Sequence, residues 1–528
     1  MSGGLLSLSF PPADVRGLAF VALIPLLLAV WKGRGGRGSA LFRLALGYVT
    51  GFVFFSTTFF WLSELAPLYD NKLLLGLPFL LALYLAFFPA LWAWFAGCIA
   101  GTHFTPVPPP DPLAPFERPA LLKSARNLGI AVLVSAAWVG LEWVRGWLLS
   151  GFGWNTLGVA LHSDLPLIQI AEFTGVGGLS FMLVMCNAIG IITVLRVRVE
   201  IGRIRLRPHY DFAVTVALVV LAFSYGARVL MREHGASKDD AVLRVAAVQP
   251  NIPQAWKMDL NRSAEIFERM QSLTELAILT SPDLLLWPEA AVPRGMLADA
   301  STKTFVREFG SAVPAMILGT DDLNRDAPGD DHNSAALLLN GQKEVFYDKR
   351  HLVPFGEYLP LRPLLGPLVG GLVPGDFKPG HEPGIFQLAR PALKLAPLVC
   401  FEDTLGELAR EPVILGAQVL VNVTNDGWFG HSCEPEQHFA NSIFRAIENR
   451  RPLLRCTNTG VTASVDSFGR ADKWLEPFSM GAASRQIKVP SQMAGTFYTR
   501  HGDIFSIVCA AVAGGAILIS FVLRRRRA

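Results

Sequence analysis

Near residues 41–62, 73–98, 127–148, 167–195 and 212–231 this chain is apolar over the roughly 20 residues that a helix needs to cross a bilayer. A shorter apolar run covers 17–31 and a last one covers 503–523. Lipid offers backbone N–H and C=O groups no partner, so runs of this kind must close their own hydrogen bonds as helices. The fold class expected is therefore a membrane α-helical bundle of about 7–8 transmembrane helices. Composition agrees: 51% hydrophobic, 17% charged and a mean hydropathy of +0.38 over 528 residues are too apolar for an ordinary soluble protein. Residues 4–10 (GLLSLSF) are far too short to span and read as the end of a truncated first membrane helix or a hairpin at the interface. The apolar helices themselves would target the chain, with no cleaved signal peptide.

Between 240 and 500 the composition changes and no stretch is apolar enough to cross. The expected organisation is a helical domain over 1–235, a catalytic domain over 240–495 and a final membrane helix over 503–523. Basic residues orient it, because short loops rich in Lys and Arg stay in the cytoplasm. Lys32, Arg34, Arg37 and Arg43 mark one inside loop, and Arg196, Arg198, Arg203, Arg205 and Arg207 mark another. Arg524 to Arg527 close the chain, while 63–72 and 149–165 are nearly free of positive charge. One helix lies between the second basic loop and the 240–495 domain and one between that domain and the basic tail, which puts the domain outside. The net charge of +4 is small and clustered at helix ends, a pattern that orients helices and does not suggest nucleic acid as a partner.

The 240–495 domain reads as α/β. LRVAAVQPN (243–251), DLLLWPE (283–289), AMILGTD (315–321), ALKLAPLVC (392–400) and QVLVNVTN (418–425) are predicted strands, with helical patterns over 263–279 and 435–450. Of six cysteines, Cys98, Cys186 and Cys509 fall in apolar stretches; Cys400, Cys433 and Cys456 lie in the polar part, and no metal-type Cys/His spacing occurs, so no metal and no cofactor is expected.

Three residues stand at or beyond predicted strand ends: Glu289 in LLLWPEAAVP, Lys349 in VFYDKRHLVPFGEYLP and Cys400 in LAPLVCFED. A thiol attacks weakly with its proton on, and needs a base to remove the proton and a cation to favour the anion. A carboxylate and an ammonium supply that pair: Glu289 to carry the proton, Lys349 to stabilise thiolate and oxyanion.

This Glu-Lys-Cys order, with AVQPNIPQ, WPE, DKRHLVPFGEY, CFED and NDGWFG around it, resembles the nitrilase, or carbon-nitrogen hydrolase, superfamily over about 243–490. That resemblance implies an αββα sandwich. Membrane spans on both sides, and the words DKRHLVPFGEYLP and NDGWFG, make the chain similar to the apolipoprotein N-acyltransferase family within it. The resemblance implies acyl transfer from a membrane phospholipid to the N-terminal amine of the S-diacylglyceryl cysteine of an apolipoprotein, through a Cys400 thioester, at the bacterial inner membrane with the catalytic domain in the periplasm. A membrane-anchored nitrilase- or amidase-type hydrolase is the alternative, and a transporter with an outer binding domain is disfavoured by the scarcity of charges in the spans beyond Glu142 and Arg145. Glu357 then corresponds to the second glutamate that holds the lysine, and Glu402 to a further acidic position or a structural salt bridge. Trp428 and Phe429 are candidates for substrate binding or core packing. The tryptophan that the resemblance places near Met258 stands instead at Trp256. The stretch 359–380, apolar yet rich in Gly and Pro, is expected to be a mobile loop whose leucines dip into lipid and gate its access.

Overall fold

The computed structural model describes the chain except residues 33–37, 101–119, 201–207, 233–239, 294, 297–299, 324–328, 370–374, 492–493 and 526–528. Arg34, Arg37, Arg203, Arg205, Arg207, Arg526 and Arg527 of the basic clusters lie outside the described residues. The described chain forms two compact units: one of Met1–Ser63, Gly76–Met231 and Asp503–Ala528, the other of Glu64–Leu75 and Arg232–Gly502.

The first unit is helical. Among the described residues five helical segments are long and apolar enough to cross a membrane, within 39–58, 72–100, 121–145, 176–198 and 210–231. Two expected spans differ in detail. The 73–98 run is broken into a 3-10 turn, Lys72–Gly76, and helices Leu77–Leu85 and Phe87–Ala100; Pro89, three residues into the last of these, has no N–H to continue the previous helix. The 167–195 span begins only at Val176, behind two short helices, Leu165–Ile168 and Ala171–Thr174. The 17–31 run is a 3-10 turn followed by the nine-residue helix Ile24–Lys32, residues 4–10 begin within the short helix Ser2–Ser7, and the last run forms helix Ile504–Arg525. Close packing in this bundle relies on small residues: a Cβ on Gly47 would lie 2.3 Å from the Pro89 carbonyl oxygen, so only glycine lets the two helices approach there.

The second unit carries two six-stranded sheets. The first runs β12-β1-β2-β3-β4-β5 and the second β11-β10-β9-β8-β7-β6, from β1 (Ala241–Gln249), β2 (Leu284–Leu286), β3 (Ala315–Asp322), β4 (His332–Leu339), β5 (Lys343–Asp348), β6 (Phe386–Ala389), β7 (Ala392–Val399), β8 (Val419–Thr424), β9 (Leu453–Thr457), β10 (Thr462–Val465), β11 (Ala471–Leu475) and β12 (Gly481–Val489). Central pairs β1–β2, β2–β3, β7–β8 and β8–β9 are parallel. Those strands read as continuous apolar runs because both of their faces are covered. Val245, Leu286 and Ile317 of one sheet meet Leu395, Val399, Val421 and Val423 of the other in a shared core. Ile266, Met270, Val306 and Phe309, from helices Ser263–Ile278 and Ala300–Ser311, cover the outer face of the first sheet with Val248, Leu285 and Trp287. Helices Gly406–Ile414 and Glu434–Asn449 pack against β7 and β9 of the second. The layers are helix, sheet, sheet, helix.

The 359–380 stretch is not loop throughout. Arg362–Val369 forms a short helix: Pro363, in its first turn, removes a donor that no helix uses, while Pro367 lies inside it and costs one backbone hydrogen bond. Leu361 and Leu364 are 71% and 69% exposed; nothing is described of the Leu365 and Leu368 side chains.

Candidate active site

The expected catalytic residues follow the C-terminal ends of three strands: Glu289 three residues after β2, Lys349 directly after β5 and Cys400 directly after β7. A sheet fixes such positions while the loop beyond keeps the group accessible. The approach of β3 to Glu289 is tight enough to require glycine: a Cβ on Gly319 would come within 2.4 Å of Glu289 Cα.

Lys349 is almost wholly buried, 1% exposed, between two carboxylates, with Nζ 2.8 Å from Glu357 Oε1 and 3.7 Å from Glu289 Oε1. Burial alone would lower its pKa, but Glu357, Cys400 and Glu289 outweigh that and hold the ammonium well above its ordinary value. Asn333 on β4 donates from Nδ2 to Glu289 Oε1 (2.7 Å) and to Glu357 Oε1 (2.6 Å), and the backbone N–H of Val353 donates to Glu357 Oε2 at 2.7 Å. Glu289 Oε2 is buried with no hydrogen-bond partner among the described residues, which leaves it able to accept a proton.

Cys400 opens a 3-10 turn, Cys400–Thr404, in a left-handed conformation with φ +52°. For a non-glycine residue this costs roughly 1–2 kcal/mol and needs surrounding contacts to hold it. Asn422 Nδ2 donates to the Cys400 carbonyl at 3.0 Å. Glu402, wholly buried, accepts from the N–H groups of Val399 (2.8 Å), Arg350 (2.7 Å) and His351 (3.2 Å) and from the Tyr347 hydroxyl (3.0 Å). It is thus a hydrogen-bond hub that ties the Lys349 loop to the Cys400 turn, and among the described residues its contacts are hydrogen bonds. Burial, reinforced by Glu289, keeps the Cys400 thiol well above its ordinary pKa although Lys349 pulls the other way. The balance favours the protonated sulfur over the thiolate.

Trp428 and Phe429 are half-buried on the turn Asp426–Phe429. Trp256 lies under two guanidinium groups, Arg262 at 4.5 Å and Arg269 at 4.9 Å from its ring centre.

Sequence reasoning missed two groups. Asn333 lies on β4, which is not among the predicted strands, and its role depends on a partner 44 positions away. Behind Cys400 a buried cluster links Asp403, Asp426, Glu434, His438 and Arg455. His438 Nε2 is 2.9 Å from Asp403 Oδ1 and Nδ1 is 2.8 Å from Asp426 Oδ1; Arg455 reaches both aspartates. Burial and Arg455 lower the pKa of His438, but Asp403 and Asp426 raise it further, well above the ordinary value. Asp426, Glu434 and His438 are near enough to hold a metal ion, yet the guanidinium and the imidazolium already balance the aspartates. The only local signal was that Asp403 and Asp426 fall inside CFED and NDGWFG.

Two sheets between helical layers, with Glu289, Lys349 and Cys400 beyond strand ends, are the arrangement expected of a carbon-nitrogen hydrolase domain, and the Carbon-nitrogen hydrolase family model matches residues 244–477. Solved structures of that class share the similarity at a distance: an amidase from Nesterenkonia sp. (18% identity, 49% of this chain and 92% of that one, TM-score 0.34) and a Saccharomyces cerevisiae member of branch 10 of the nitrilase superfamily (16%, 48% and 93%, TM-score 0.37). The remainder of the chain narrows the class. The Apolipoprotein N-acyltransferase N-terminal domain model matches residues 2–189. Apolipoprotein N-acyltransferase of Geobacter metallireducens is 34% identical over 542 residues, covering 100% of this chain and 95% of that protein, and that of Methylococcus capsulatus is 33% identical, covering 100% and 96%. The chain belongs to the apolipoprotein N-acyltransferase family.

Proposed function

We propose that this enzyme transfers an acyl chain from a membrane phospholipid to the N-terminal amine of the S-diacylglyceryl cysteine of bacterial apolipoproteins, in two steps through a thioester on Cys400. The observation that supports the mechanism is the buried Glu289 and Lys349 pair, 3.7 Å apart, beside the Cys400 thiol, whose proton burial and Glu289 favour. Glu289 takes that proton as sulfur attacks the ester carbonyl and gives it to the departing glycerol oxygen; Lys349 stabilises the oxyanion. Glu357 and Asn333 hold the pair in place, Glu402 sets its distance from the Cys400 turn, and Trp428 and Phe429 line the acyl site.

The catalytic domain is assigned to 240–495, between a helical domain over 1–235 and a last membrane helix over 503–523, about 7–8 spans in all. It faces the periplasm from the inner membrane, a reading supported by the basic residues at 196–207 and 524–527. The exposed Leu361 and Leu364 are suited to meet the outer leaflet. The test is intact-mass analysis of enzyme purified from membranes: one acyl adduct, mapped to Cys400 and removed by hydroxylamine, is expected. An adduct on Cys433 or Cys456, or release of lysophospholipid by Cys400→Ala at a normal rate, overturns the assignment. A hydrolase would instead turn phospholipid over without acceptor.

A further inference from the structure

The two half-reactions differ in their protons. In the first, the Cys400 S–H bond and the ester C–O bond break, a C–S bond and an O–H bond form, and no proton is left over. In the second, a C–N bond forms and the C–S bond breaks, but the acceptor amine, with an ordinary pKa near 8, arrives largely as an ammonium at neutral pH. Of its three protons one stays on the amide nitrogen and one returns through Glu289 to the Cys400 sulfur. The third must leave, and Glu289 can carry only one at a time.

The site contains a further carboxylate placed for it. On β3, Gly319 presents its face to Glu289 Cα, and Asp321, two residues on, lies on the same face of the strand. Across the ladder Asp321 pairs with Asn333, whose amide holds Glu289 and Glu357; side chains so paired stand on one face roughly 5 Å apart at Cβ. From the other side Lys257, in the short helix Gln254–Met258, donates to the carbonyl oxygens of Glu289 (3.2 Å) and Ala290 (2.9 Å). The charged groups facing Asp321 are thus Glu289, Lys257, Glu357 and Lys349. We propose that Asp321, supported by Lys257, is the second proton acceptor of the site and takes the surplus proton of the incoming ammonium, passing it to water. Asp321 stands near the end of β3 and is only partly buried. Burial, then Glu289, raises its carboxyl to about 6, so at neutral pH it is ionised and still basic enough to accept. Lys257, pushed down to about 8 by burial against the pull of Glu289 and Asp321, keeps the carboxylate charged over the same range.

This inference rests on the acyl-transfer reading, and the half-reactions separate the two. Wild type and Asp321→Asn are loaded with phospholipid, then mixed with a diacylglyceryl peptide between pH 6.5 and 9.5. Asp321→Asn is expected to slow transfer at pH 7 by at least about tenfold more than it slows thioester formation. The deficit should fade as the peptide amine loses its own proton, and Asp321→Glu should restore most of the rate. Hydroxylamine, neutral at pH 7, brings no surplus proton; it should deacylate the loaded Asp321→Asn enzyme at the wild-type rate, which also shows that the variant is folded. A deficit equal in both half-reactions, or unchanged across the pH range, overturns the role of Asp321. Failure of the wild type to form any thioester overturns the acyl-transfer reading itself.

Discussion

Asn333 offers the sharpest test of how the site is assembled, because one amide nitrogen holds both glutamates. Asn333→Leu keeps approximate volume and the β4 ladder, and removes the donor to Glu289 Oε1 and Glu357 Oε1. A hydrogen bond to a charged partner contributes about 1.5–3 kcal/mol. If one such bond is lost in the transition state for thioester formation, the rate falls about 10- to 150-fold. The second bond adds less than its full worth, since both act on one constellation. Single-turnover release of lysophospholipid measures the effect, and a thermal melt of the same sample separates it from unfolding. A loss below about threefold in a protein that melts normally would refute the reasoning, because Glu289 would then be positioned without the amide.

Four other expectations follow from the same geometry. Cys400→Ala should abolish both half-reactions with the fold intact; Glu289→Gln and Lys349→Met should each lose roughly 10²–10⁴ in acylation, and the double variant little more, checked by lysophospholipid release. Glu434, pushed up to about 8 by burial and Asp426, keeps its proton in the folded state while an unfolded glutamate loses it near 4.5, so this group's contribution to stability is present below 4.5 and is lost as pH rises toward 8. Melts of Glu434→Gln should therefore gain on the wild type from pH 5 to pH 8, and a gap constant with pH would contradict the shift. A phosphatase reporter that folds only outside the cytoplasm should be active when fused after residue 300 and inactive after residue 110, with the reverse pattern sinking the periplasmic orientation. Replacing Leu361 and Leu364 with serine should slow reaction with bilayer phospholipid more than with a water-soluble thioester; equal losses would make these leucines ordinary parts of the fold.

What the sequence determined by itself was whatever depends on local pattern. Apolar length dictated helices, because lipid leaves the backbone no other way to satisfy its polar groups. The strand-end words carrying Glu289 and Cys400 were legible because largely buried strands with parallel neighbours read as apolar runs that stop where the chemistry starts, whereas Lys349 follows β5, an edge strand antiparallel to β4, and was legible only from the motif around it. Tertiary structure decided what depends on which polar groups meet in the interior. Asp403, His438 and Arg455 are charged or titratable residues far apart in sequence, yet all three are buried, and each is tolerated because oppositely charged groups of the cluster neutralise it. Asn333 acquires its role only when β4 is set beside β3, and Asp321 only by standing opposite Asn333 in that ladder. The break within 72–100 also turned on context: proline lacks one backbone donor, and whether that donor was needed depends on where each helix begins.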